Sequence, residues 1–316
     1  MALIVSNSPH LRSKVNTPFL MKQVIIALIP AGAASIYLFG PQAIWLISNC
    51  IISALLTEAV ILKIRKKPLC INDFSAILTG LLLALTLPPS TKWYGASLGS
   101  IVAVSVGKHI FGGLGSNIFN PALVGRAFLM AAYPKMLTTF SSPRIVDAVT
   151  TAPPDALSGA TPLVLLKFNQ IAVDIGDLFI GRVSGSLGET SAICLIIGAI
   201  YLLLRKVISW RIPLSLLLTT TILSAIFFLL NPSWGSVWFH LFGGGLLLGA
   251  FFMATDPVTT PTTKRGRYIF GIGCGVLIMI IRYFSGLPEG VMYSILFMNA
   301  LTPLINRYTK PRRFGT

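Results

Sequence analysis

Charge is what this chain has least of. Of its 316 residues 9 are acidic and 25 basic, only 11% together, against 54% hydrophobic residues, and the mean hydropathy is +0.80. A folded chain needs a polar skin to stay in water, so this scarcity excludes a soluble globular domain and indicates a polytopic membrane protein. Cysteine is scarce as well. Cys50, Cys70, Cys194 and Cys274 lie far apart and match no metal-ligand spacing, which excludes a zinc site or a disulfide framework and leaves them as small buried side chains. His10, near Arg12 and Lys14, reads as an interfacial residue and not as a ligand. The polar segments hold no Ser-His-Asp arrangement, no Gly-rich nucleotide fold and no paired carboxylates. The net charge of +16 does not signify nucleic acid, because the basic residues sit in short clusters between apolar runs, as the positive-inside bias requires.

The chain does have apolar runs long enough to cross about 30 Å of hydrocarbon. Ten are expected, at 19–39, 42–62, 74–88, 94–111, 117–133, 189–204, 212–230, 236–254, 268–284 and 289–306. The third is short and ends at Pro88-Pro89, and it and the eighth read either as full spans or as re-entrant half-helices. Ala31-Gly32-Ala33 has some look of a cleavage site, but the run continues apolar to Leu38, so an uncleaved first helix is expected. With the N-terminus in the cytoplasm, the clusters at Arg12 and Lys14, Lys63 to Lys67, Lys108, Arg205 to Arg211, Lys264 to Arg267 and Arg307 to Arg313 all fall on the inner side. Trp93, Trp210, Trp234 and Trp238 fall mostly at segment ends, as an aromatic belt does. The expected organisation is a cytoplasmic N-terminal segment 1–18, a first membrane half 19–133, an extracytoplasmic loop 134–188, a second membrane half 189–306 and a basic cytoplasmic tail 307–316. Both termini are expected on the cytoplasmic side of the cell membrane.

A weak internal repeat relates the halves. Gly80 to Leu85 running into Pro88-Pro89 matches Gly245 to Ala250 running into Asp256-Pro257, and Phe119-Asn120-Pro121-Ala122-Leu123 is echoed by Phe297 to Pro303. Five segments per half is an odd number, so the second copy enters from the opposite side. The expected fold is therefore an all-α polytopic membrane protein of about ten transmembrane segments in two inverted five-segment halves.

In the long polar interval stands Asp155-Ala156-Leu157-Ser158-Gly159-Ala160-Thr161. A threonine on small, flexible neighbours is open to esterification by another enzyme, with Gly159 and Ala160 supplying the freedom and the lack of bulk. The bland alternative is a polar turn in which Ser158 and Thr161 bond local backbone. Thr150 and Thr151 form a poorer copy, stiffened by Pro153 and Pro154. Asp256, after a long apolar run and before Pro257, reads first as a cap of the next segment and second as an ion or flavin contact. Arg126 either snorkels to the headgroups, the favoured reading, or neutralises a bound flavin. Asn120-Pro121 and Asn299 to Pro303 look like pseudo-symmetric helix interruptions, where either unwound backbone contacts a cation or a flavin edge or the proline only kinks its helix for packing.

These strings carry a resemblance. Ser8-Pro9-His10-Leu11-Arg12 with the following VIIALIPA, the run Gly112 to Arg126, the SGAT at Ser158 to Thr161, and Ala254-Thr255-Asp256-Pro257-Val258 together resemble the membrane-subunit family shared by Rnf complexes (their D subunit) and the sodium-pumping NADH:quinone reductase (its B subunit). The likeness covers nearly the whole chain. The longer N-terminal extension typical of the reductase subunits is missing, which favours the Rnf branch; Asn16-Thr17-Pro18 stands where relatives are expected to be more charged. The resemblance implies a urea-transporter-like fold and FMN held on Thr161 through a phosphoester, with Asp155 recognised by the attaching enzyme. It also implies a second, non-covalent flavin such as riboflavin. The implied function is electron transfer in a ferredoxin:NAD oxidoreductase coupled to Na⁺ or H⁺ translocation. The implied partners are subunits of the A, B, C, E and G types, an extracytoplasmic flavin transferase and membrane lipid, with no nucleic acid. A small-solute channel or secondary transporter on the same repeat, with no redox role, is the rival reading.

Overall fold

The computed structural model describes residues 16–68, 71–141, 143, 160–171, 173–287 and 289–310. Among them every regular element is helical. Helix α1 (Thr17–Phe39) starts where Asn16 accepts a hydrogen bond from the Phe19 amide at 3.0 Å. The Asn16-Thr17-Pro18 departure is thus a helix start: a capping side chain, then a proline in the first turn, where its missing N–H costs nothing. Ala31-Gly32-Ala33 lies inside this continuous helix. Gly40, at φ 69 and ψ −143, closes α1 and opens α2 (Pro41–Ile64), a backbone conformation a side chain would strain.

The first half continues with α3 (Ser75–Thr86), α4 (Trp93–Val104), whose last turn widens into a π-turn over Ser105–His109, and α5 (Pro121–Ala132). Three short helices follow: α6 (Pro134–Thr138), α7 (Pro162–Asn169) and α8 (Ile175–Ile180). The second half comprises α9 (Ala192–Leu204), α10 (Arg211–Leu230), α11 (Val237–Phe242), α12 (Leu246–Leu248) with a π-turn at Gly249–Met253, α13 (Lys264–Phe284) and α14 (Val291–Tyr308). Four helices, α1, α2, α10 and α13, are long and apolar enough to cross a membrane, or five if the pair Pro232–Phe242 and Leu246–Met253, bent by 46°, is one span. The third apolar segment is a helix of 12 residues, about 18 Å long and short of a 30 Å hydrocarbon layer. The eighth is broken at its glycines.

The two halves repeat one order of neighbours. In the first, α2 packs on α3 and α4, and α4 on α5; in the second, α10 packs on α11 and α13, and α13 on α14, while α1 and α9 pack together across the halves. Small residues permit the approach, since lipid tails offer no hydrophobic drive for one helix to seek another. A Cβ on Gly80 would lie 2.8 Å from the Cys50 carbonyl of α2, and one on Gly275 would lie 3.0 Å from the Leu216 carbonyl of α10. Leu28, Leu46, Leu83, Leu85, Leu123 and Phe270 fill the common core.

The chain enters its second half by a tie to the first. The amides of Leu187 and Gly188 donate to the carbonyls of Leu87 and Leu85, at 3.1 and 2.7 Å, and so satisfy acceptors that the end of α3 leaves free. Helix α14 runs unbroken through Asn299 and Pro303. The second of the two expected interruptions is therefore absent: Pro303 removes one amide donor from the ladder without stopping the helix.

Candidate functional site

Thr161 is the N-cap of α7. Its extended backbone (φ −71, ψ 155) precedes Pro162, and its hydroxyl oxygen accepts from the Val164 amide at 3.4 Å. Esterification calls for an exposed hydroxyl, yet the residue is 4% accessible. Capping and packing explain the difference, because a side chain turned back over its own helix start faces protein. Ala160 is half-buried beside it. Asp155, Ser158 and Gly159 lie outside the described residues.

Two contacts hold α7 in place. Leu163 and Leu166 pack with Leu178 and Phe239 in an apolar cluster of their own. Lys167 donates to three backbone carbonyls at and beyond the end of α13: Arg282 at 2.7 Å, Leu287 at 3.2 Å, and Ser285. An ammonium at a helix C-terminus meets both the unsatisfied carbonyls and the negative end of the dipole. Burial of this ammonium pushes it below the usual lysine range.

Beside Thr161 is a cavity of about 70 Å³, lined among others by Arg126, Phe140, Thr161, Val164, Glu289 and Tyr293. Arg126 on α5 does not snorkel. Its two terminal nitrogens reach Glu189 at 3.0 Å and Glu289 at 2.7 Å, just before α9 and α14, so one guanidinium binds the first half to both ends of the second. Glu189 is almost fully buried, and a Cβ on Gly245, in the break between α11 and α12, would strike its carboxylate. Arg282 on α13 faces the same break. It donates to the carbonyls of His240 at 2.6 Å and Gly243 at 2.9 Å, which terminate α11.

A second cavity, about 60 Å³, lies where the halves meet, and Ser75, Lys108, Asn117, Asn120, Thr255 and Asp256 are among its lining residues. Asn120 caps α5 by accepting from the Ala122 amide at 3.1 Å, and it donates to the Met253 carbonyl of the other half at 3.3 Å. Asp256 accepts from the Val258 amide at 3.2 Å and from the Thr259 hydroxyl at 3.3 Å. Lys108, counted from sequence with the cytoplasmic basic clusters, is buried at 2% exposure in an ion pair with Glu58, itself 3% exposed, and also donates to the Ser75 hydroxyl. A lone ammonium would not stay in such a place; the paired carboxylate keeps it there. No group of three or more metal-ligating side chains occurs among the described residues.

Structure thus brings Thr161 and Arg126 to one cavity and Asn120 and Asp256 to another, and it does not unite the two sets. Sequence reasoning passes over Glu58, Glu189 and Glu289, the partners of the buried cations. The signal is available: with nine acids in the chain, any acid inside or at the edge of an apolar run asks for a partner.

Fold and site define a class, a polytopic helical membrane protein whose two halves are joined by partly buried ion pairs. The chain belongs to the NQR2, RnfD, RnfE family, whose model matches residues 4–315. It is 48% identical to the D subunit of the Na⁺-translocating ferredoxin:NAD⁺ oxidoreductase complex of Acetobacterium woodii, over 99% of this chain and 95% of that one. It is 45% identical to the D subunit of the proton-translocating ferredoxin:NAD⁺ oxidoreductase complex of Clostridium ljungdahlii, over 99% and 96%. The D subunit of an ion-translocating oxidoreductase complex of Stutzerimonas stutzeri is 42% identical, over 96% and 93%.

Proposed function

We propose that this chain is the D subunit of an ion-translocating ferredoxin:NAD oxidoreductase of the Rnf type and carries FMN on Thr161. The family match supports the subunit role, and near-complete coverage of both chains extends it to the whole protein. One observation carries the flavin reading: the Thr161 hydroxyl stands at the start of α7, at a cavity that Thr161 and Arg126 both line. A phosphoester there would meet the amide of Val164 and the positive end of the helix dipole, beside an Arg126 that is already paired with Glu189 and Glu289. FMN, when bound, supplies one-electron and two-electron redox chemistry. The residues of this chain do the rest. Thr161 would fix the group covalently, the Val164 amide would face its phosphate, and Lys167 holds the helix that would bear it.

The ring itself does not fit the cavity, since about 70 Å³ falls well below the roughly 300 Å³ of small-molecule pockets. When bound, it would have to lie outside that wall. The cavity between the halves has suitable polar groups for the second flavin, but about 60 Å³ is likewise too little for riboflavin, and no step is assigned to one. Ten crossings in two inverted halves, cytoplasmic termini and an extracytoplasmic α7 complete the proposal, with subunits of the A, B, C, E and G types and a flavin transferase as partners. The rank of Asp256 as an ion contact is low, because both its carboxylate oxygens already serve the following turn.

The test is direct. Protein purified from its native membrane should give a yellow-green fluorescent band on a denaturing gel after boiling, and the tryptic peptide 145–167 should carry the mass of an FMN phosphoester. Both should vanish in Thr161→Ala. An unmodified peptide in native protein refutes the flavin assignment and leaves the family assignment intact.

A further inference from the structure

As folded, Thr161 is not presented for esterification. Attachment requires Thr161 Oγ1 to attack phosphorus in an FMN donor activated as a phosphoanhydride. The Oγ1–P bond forms, the anhydride P–O bond breaks, the leaving phosphate keeps the electron pair, and the hydroxyl proton passes to a base of the attaching enzyme. All of this must happen inside another protein's active site. In the folded chain Thr161 is 4% accessible, its oxygen is already an acceptor for the Val164 amide, and only about 70 Å³ of space adjoins it.

We propose that FMN is attached while α7 is undocked from α13, and that Lys167 sets how often it undocks. The inference rests on the flavin reading of Thr161. Helix α7 has eight residues, far fewer than the roughly 12 an isolated helix needs for marginal stability in water. It persists because Leu163 and Leu166 are covered and because Lys167 spans the carbonyls of residues 282, 285 and 287. Release of the ammonium removes three charge-assisted hydrogen bonds at once, after which α7 unwinds and frees its capping hydroxyl. Esterification then favours redocking, for phosphate oxygens cap a helix start better than a neutral hydroxyl does.

The experiment uses full-length chain made in a host without a flavin transferase, reconstituted in nanodiscs and incubated with transferase and FAD as the donor. Hydrogen exchange of residues 162–169 and the rate of appearance of the fluorescent adduct are followed together. Lys167→Met should raise both by about tenfold, from the loss of hydrogen bonds to a charged group, with exchange in α10 unchanged. Leu166→Ala, which loosens α7 through its apolar face, should accelerate both as well, an effect that direct recognition of Lys167 by the transferase would not produce. Faster exchange with an equal or slower rate of attachment overturns the proposed order, and unchanged exchange in both variants overturns the latch. Absence of adduct in every chain, wild type included, refutes the flavin reading itself and the order of events with it.

Discussion

At the scale of single residues, the molecule is governed by a few charges that the membrane makes expensive. Arg126 bridges two carboxylates, one of them at 3% exposure, and its removal strands both. Arg126→Met should lower stability by about 3 to 5 kcal/mol, the cost of an unpaired buried charge. The triple variant with Glu189→Gln and Glu289→Gln should recover most of that loss, as read by denaturant unfolding in detergent. Equal losses in the single and triple variants would show that packing, not charge, is at stake. Lys108 with Glu58 obeys the same rule: Lys108→Met should destabilise more than Lys108→Met combined with Glu58→Gln, measured in the same way. These pairs are half legible in the sequence. Arg126, Asn120 and Asp256 stand out as polar groups in or beside apolar runs, and all three line cavities. Which acid meets which cation does not stand out, because Glu58 is 50 positions from Lys108 and Glu289 is 163 from Arg126, and no local spacing reports such a contact.

At the scale of elements, apolar runs locate the long helices well. The segments 19–39, 42–62, 212–230 and 268–284 correspond to α1, α2, α10 and α13 within a few residues, because a helix bathed in lipid needs an unbroken apolar stretch and little else. What the runs conceal is the state of the shorter elements. Residues 236–254 are as apolar as any span, yet the backbone bends at Gly243 to Gly245, and the carbonyls freed there are taken by Arg282 from another helix. Hydropathy registers side chains, not a carbonyl that has lost its amide. Arg282→Gln should leave at least one of these acceptors unpaired, at a cost of about 1 to 3 kcal/mol each. Amide exchange should then rise in 237–248 while α1 and α2 keep their protection, and unaltered exchange in 237–248 would deny Arg282 this role. For Thr161 the turn reading, a hydroxyl bonding local backbone, is what the structure shows; that the turn opens a helix is not legible, since eight residues form one only in tertiary contact.

At the scale of the whole molecule, the repeated order of helix neighbours, the α1–α9 contact and the Arg126 and Asn120 links bind two halves into one body. The proposed topology puts Lys66 and Gln170, both exposed, on opposite sides of the bilayer. In a chain whose own cysteines are replaced by alanine, Gln170→Cys should react with a membrane-impermeant maleimide in intact spheroplasts, and Lys66→Cys only in inverted vesicles. The reverse pattern would turn the topology over and put Thr161 on the wrong side for an extracytoplasmic transferase. The tie of Leu187 and Gly188 to the end of α3 bears on how such a body is made. A ribosome that has delivered only the first five helices, to Ala132, has exposed two carbonyl oxygens, those of Leu85 and Leu87, whose amide donors at 187 and 188 are still about 55 residues from being translated. Bare acceptors in hydrocarbon cost several kcal/mol apiece, so the nascent first half has to wait, sheltered by the insertion machinery or by water, until residues 187 and 188 emerge and close it.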